Sequence, residues 1–166
     1  MNKAKLLEDI KGTGASIDKL DDLINLNLES RNLVPIILEH LNITDNEQDK
    51  EFLVRCLGVK GLTEVSDVLL YEFDKAISHG YKWTIGNSIS IIVDKSILDK
   101  LLLIVKDKKH GKSRQMIVYG LGSYPTKEVK ETLLGILDED ELLGHTLFAP
   151  GKMKDASIMP YIEKVC

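Results

Sequence analysis

The carboxylates Asp67, Asp99 and Glu131 recur at steps of 32 residues, inside VSDVLL, ILDKLL and VKETLL. Brought into register on neighbouring elements, such groups make an acidic ridge that attracts basic side chains. Placed in the first turns of helices, they only stabilise the helix dipole. The residues alone fit both readings. The opposite charge is concentrated in KDKKHGKSR (106–114), with five Lys or Arg against one acid, a candidate phosphate patch. Its counterpart one period later is DEDE (138–141). Loops of neighbouring helical units lie about 10 Å apart, within a Debye length at physiological salt. Mutual neutralisation of the two loops is therefore expected in place of phosphate binding.

No catalytic constellation is legible. His40, His79, His110 and His145 lack H-x-x-x-H or Cys/His ligand spacing, so no metal site is expected. Cys56 and Cys166 make neither a zinc pair nor a disulfide framework. No serine stands in G-x-S-x-G, and the glycines at 120 and 122 do not spell a phosphate loop. The expectation is a non-enzyme without cofactors.

The elements that must position these groups are helices. A hydrophobic fraction of 43% with 29% charged residues suits a soluble globular chain, and 5% aromatics leaves the core to Leu, Ile and Val. Four prolines favour long helices over strands and turns. The net charge is −4, and only Arg31, Arg55 and Arg114 are arginine, which argues against nucleic acid as partner. MNKAKLLEDIKG has no signal-peptide core, and no later segment reaches about 18 apolar residues. The expectation is a cytoplasmic protein that does not enter a membrane.

Residues 55–73, RCLGVKGLTEVSDVLLYEF, and 119–137, YGLGSYPTKEVKETLLGIL, share L-G, a short loop and E-V-x-x-x-L-L. Taking Leu33, Val65, Ile97, Val129 and Ile158 as anchors gives steps of 32, 32, 32 and 29 residues. This is an internal repeat. After each anchor, apolar residues at offsets +4, +5 and +8 mark one face of a second helix. Before it, a first helix ends in Cys56-Leu57-Gly58, Ser88-Ile89-Ser90, Gly120-Leu121-Gly122 or Ala149-Pro150-Gly151. Small residues there allow close helix approach, and the final Gly is expected to form a left-handed cap. Lys50, Lys82 and Arg114 stand eight residues before that Gly or Ser, with Leu143 breaking the series. Pro150 is expected to kink its helix. The repeats lie near 16–41, 49–74, 81–106, 113–138 and 141–166, with 1–12 as a flexible N-terminus. Such hairpins bury both faces only by stacking, which gives an all-α solenoid of about five hairpins.

A basic residue, L-G eight positions on, a loop and an apolar helix with Pro in its first turn resemble the HEAT repeat. The likeness is nearest to its short form of roughly 30 residues, typified by bilin-lyase-type and related bacterial proteins. LVPIILEHL (33–41) and IMPYIEKV (158–165) resemble its second helix, with Pro35 and Pro160 near the start. The resemblance covers about residues 16–165, and the first copy lacks the basic residue and the Gly, as a capping repeat does. It implies a right-handed α-α superhelix of the armadillo-like kind, with second helices lining a concave groove.

In that frame offset +2 places Asp67, Asp99 and Glu131 in the groove, offset +3 adds Val68, Lys100 and Tyr161, and offset +6 adds Tyr71 and Leu103. Tyr71 and Leu103 are the expected anchors for a bound polypeptide. The implied function is a protein- or peptide-binding scaffold, with self-association through the terminal repeat as a further mode. HEAT-like repeats also build alkylpurine DNA glycosylases, whose cationic grooves differ from this acidic one, and a bilin-lyase-like subunit is a third reading.

Overall fold

The computed structural model describes residues 1–153 and Pro160. Among them every regular element is helical. Nine α-helices follow in order: α1 (Lys3–Gly12), α2 (Val34–Ile43), α3 (Glu47–Leu57), α4 (Ser66–Lys75), α5 (His79–Ile92), α6 (Leu98–Lys106), α7 (Gln115–Leu121), α8 (Lys127–Leu134) and α9 (Asp140–Met153). None of them is long and apolar enough to cross a membrane. Side-chain caps fix where several begin: Asn46 accepts from the Gln48 and Asp49 amides, Ser78 from Tyr81, and Thr126 from Val129. The anchors Leu33, Val65 and Ile97 each close a short 3₁₀ turn that leads into α2, α4 and α6.

The repeat offsets translate directly into the core. Leu33, Ile37 and Leu41, then Val65, Leu69, Leu70 and Phe73, then Ile97, Leu101, Leu102 and Val105, then Val129, Leu133 and Leu137 are all at most 8% exposed. Leu38 and Leu134, both at +5, are half-buried. Each fully buried Leu or Ile of this set contributes about 1.5–3 kcal/mol relative to exposure.

The first helices form a continuous stack in which α3 packs on α5, α5 on α7 and α7 on α9. Small residues stand at every crossing. A Cβ on Gly58 would come 3.0 Å from Ser88 Oγ, one on Gly120 would come 3.0 Å from Ser90 Cβ, and one on Gly122 would come 2.4 Å from the Ala149 carbonyl oxygen. Ser88 Oγ adds a hydrogen bond to the Val54 carbonyl at 2.9 Å. This corrects the expected cap: Gly58 (φ −73) and Gly122 (φ −58) are not left-handed. Glycine is needed there because the next helix occupies the space of a side chain. The left-handed position after α5 falls instead to Val93, at φ 57.

The basic series bolts first helices to second. Lys50 Nζ donates to Glu72 at 2.8 Å. Lys82 Nζ lies 3.3 Å from His110 Nδ1 and 5.0 Å from the Phe73 ring centroid. Arg114 donates to the carbonyls of Val105 and Gly111 and pairs with Glu139.

Two expectations change. Residues 1–12 hold α1, whose Leu6 and Ile10 are fully buried against the next unit. The first half of the 16–41 copy contains two 3₁₀ segments (Leu20–Asn25 and Leu28–Leu33) and no α-helix, so the first unit is not an ordinary hairpin. Helix α9 continues through Pro150 to Met153. The second helices touch one another far less than the first helices do, most extensively between α6 and α8. Separate clefts open between α2 and α4 and between α6 and α8.

Candidate functional site

On α2, α4, α6 and α8 the offset +2 residues Pro35, Asp67, Asp99 and Glu131 are all exposed, as are the +6 residues Glu39, Tyr71, Leu103 and Gly135. Offset +3 is mixed: Val68 is half-buried, Lys100 is exposed, and Thr132 on α8 turns inward. Tyr161 lies outside the described residues. Lys100 Nζ donates to Asp67 Oδ1 at 2.6 Å, which sets α4 and α6 in the expected register. The same contact pairs one of the three carboxylates with a cation of the neighbouring helix.

Between α2 and α4 opens a cleft of about 400 Å³, walled by Leu38, Leu41, Val68 and Tyr71, with Asn42, Asp67 and Glu72 as its polar groups. Pockets of this size and mixture suit a docked side chain or small ligand. Tyr71 is 56% exposed at its rim. Lys75, one turn on, lies 4.1 Å from the centre of its ring and donates to its hydroxyl. Leu103 is 69% exposed on α6 but lies outside this cleft. Asp99 is likewise outside it, and Glu131 belongs to a second cleft of about 370 Å³ with Lys106, Lys108 and Glu128. Of the expected groove residues, the structure thus brings Asp67, Val68 and Tyr71 together, with Lys100 bonded to Asp67 from α6.

Glu72 is the site residue the sequence reading missed. It is buried in α4, and its Oε2 accepts from Lys50 at 2.8 Å and from the Tyr81 hydroxyl at 2.7 Å. Burial, then the Glu72 carboxylate, pushes the Tyr81 phenol above its ordinary range and keeps it a donor. A signal did exist at offset +7, which is apolar in Ile104 and Ile136 but polar in His40 and Glu72. Both polar versions are buried and paired, His40 with Asp9 at 2.9 Å.

The charged loops meet in part as expected. Arg114 of the basic stretch pairs with Glu139 of DEDE, and Gln115 donates to the Glu141 carbonyl at 2.8 Å. Lys109 pairs with Asp107 inside its own loop. Among the described residues no three His, Cys, Asp or Glu side chains converge as a metal site would require. His79 Nδ1 lies 3.2 Å from Ser113 Oγ, and Ser113 is buried. Burial pushes the Cys56 thiol up to about 12, which leaves it unreactive. No family model, curated protein or solved structure matches the chain.

Proposed function

We propose that this chain is a HEAT-like α-solenoid acting as a cytoplasmic, non-catalytic interaction module that docks a polypeptide on its second-helix face. One observation carries the reading. The core is complete without Tyr71, which instead stands exposed at the rim of an apolar cleft between α2 and α4. Aromatic side chains without a packing duty are the usual anchors of protein interfaces. In the basic loop that would suit nucleic acid, Arg114 is bound inward to Glu139, and the exposed Lys109 pairs with Asp107. Self-association is the second mode, supported by Phe148, which is 70% exposed on α9.

The test is capture from the source cell, followed by titration of whatever is recovered against wild type and Tyr71→Ala. A polypeptide that binds the variant more weakly by about 1–3 kcal/mol supports docking at this cleft. Equal affinity, or recovery of nucleic acid in place of polypeptide, overturns it.

A further inference from the structure

We propose that His110 is an acid-released latch: its neutral ring holds residues 107–111 against α4 and α5, and protonation lets that segment swing out. The His110 side chain is 7% exposed and lies across the fully buried Phe73, with ring centroids 5.2 Å apart. Its Nδ1 stands 3.3 Å from Lys82 Nζ. An ammonium only donates, so this contact requires an unprotonated Nδ1 and places the ring proton on Nε2. A second proton would set an N–H against the N–H groups of the lysine, one cation facing another at hydrogen-bond distance.

The surroundings supply little counter-charge. The charged groups facing His110 are Lys82 of α5, Asp74 of α4, and Asp107 and Lys109 of its own segment. Asp107 Oδ2 is 3.9 Å from Nε2, beyond hydrogen-bond reach, and already pairs with Lys109 at 2.8 Å. Asp74 is exposed, where salt screens it. The Phe73 ring, which would attract a cation, already has Lys82 Nζ at 5.0 Å. Burial and then Lys82 therefore hold the ring neutral against the pull of Asp107 and Asp74. Within the repeat series, Lys50 and Arg114 meet carboxylates, whereas Lys82 meets a histidine and an aromatic ring. That difference makes this junction the one that protons can open.

Release has a short path. Lys108 and Lys109 are exposed, so His110 is the side chain that packs this span inward. Gly111 follows at φ 49, and its carbonyl is held by Arg114, which is itself bonded to the Val105 carbonyl and Glu139. The far end therefore stays anchored. Opening is confined to 107–111 and uncovers Phe73.

The experiment is an NMR titration of the full chain. Ring-to-ring NOEs between His110 and Phe73 are expected at about pH 7.5 and are lost at about pH 5, below the ordinary histidine range. The amide signals of Leu101 in α6 and Ile117 in α7 remain those of the folded protein, which separates local release from unfolding. Lys82→Met removes the cation and keeps an aliphatic stem beside Phe73, and its NOEs are expected to survive at the lower pH. If this variant does not melt cooperatively, the wild-type spectra decide by themselves. NOEs that persist in wild type at the lower pH overturn the latch, whether or not the ring has titrated. Their loss together with the folded signals of α6 and α7 also overturns it, as unfolding in place of local release. Equal loss in Lys82→Met overturns it as well, because the meeting of His110 with Lys82 would then not be the cause.

Discussion

The two sides of this molecule are built on opposite principles. On the first-helix side, Gly58, Gly120 and Gly122 let successive helices approach until a single Cβ would collide with the neighbour. On the second-helix side the helices touch far less, and between them lie clefts with Tyr71 and Glu131 in their walls. Cohesion between the helices is thus concentrated on one side, which leaves the other to vary its exposed side chains. Damage to the first side should appear as lost stability, and damage to the second as lost binding.

The largest effects are expected where a buried charge or a core side chain is removed. Arg114 is 2% exposed and holds the Val105 carbonyl and Glu139 together. Arg114→Ala leaves Glu139 without its cation and is expected to cost about 3–5 kcal/mol in a denaturant titration. Leu133, fully buried in α8, should cost about 2–5 kcal/mol as Leu133→Ala. A loss no larger than that of a surface control would show that Leu133 does not hold α8 to the core. Gly122→Ala puts a methyl group against the Ala149 backbone, which cannot swing aside as a side chain would, and an overpacking cost of about 1–3 kcal/mol is expected. Wild-type stability in this variant would mean that the first helices are not held by close approach.

A smaller effect should follow acidification. Burial lowers the pKa values of His79, His110 and His145, helped by Lys112 beside His79 and Lys82 beside His110. Asp107 and Asp74 oppose the shift at His110, and Glu141 opposes it at His79. Because the unfolded chain binds these protons more readily, the histidine contribution is complete above about pH 6.5 and is lost as pH falls through that value toward the folded pKa values. Melts across that window should show the decline, and His110→Gln should flatten it. An unchanged slope in His110→Gln would remove this residue from the account. Smallest of all, Tyr71→Ala should change stability by no more than about 0.5 kcal/mol, since the ring is on the surface.

Much of this division was legible in the sequence because burial repeats with the chain. Val65, Leu69, Leu70 and Phe73 share their offsets with Ile97, Leu101, Leu102 and Val105, and both sets are buried. The role of the glycines was not legible, because a left-handed cap and a close helix crossing both ask for a residue without a side chain. Only the backbone angle of Gly122 and its distance from Ala149 tell them apart. Helix α1 was missed because Leu6 and Ile10 span a single turn, too short for periodicity to speak. Within the site, Asp67 and Tyr71 were found from their offsets. Glu72 escaped because its meaning depends on Lys50 and Tyr81, which are distant along the chain.

The separation of the two sides is tested most directly by measuring Gly122→Ala and Tyr71→Ala in parallel, each by melting and by affinity for the polypeptide captured with wild type. The account predicts a crossed result. Gly122→Ala melts lower and binds as wild type does while folded, whereas Tyr71→Ala melts as wild type does and binds more weakly. If Tyr71→Ala lowers the melting temperature as far as Gly122→Ala does, or leaves the affinity untouched, the two sides do not divide the work in this way.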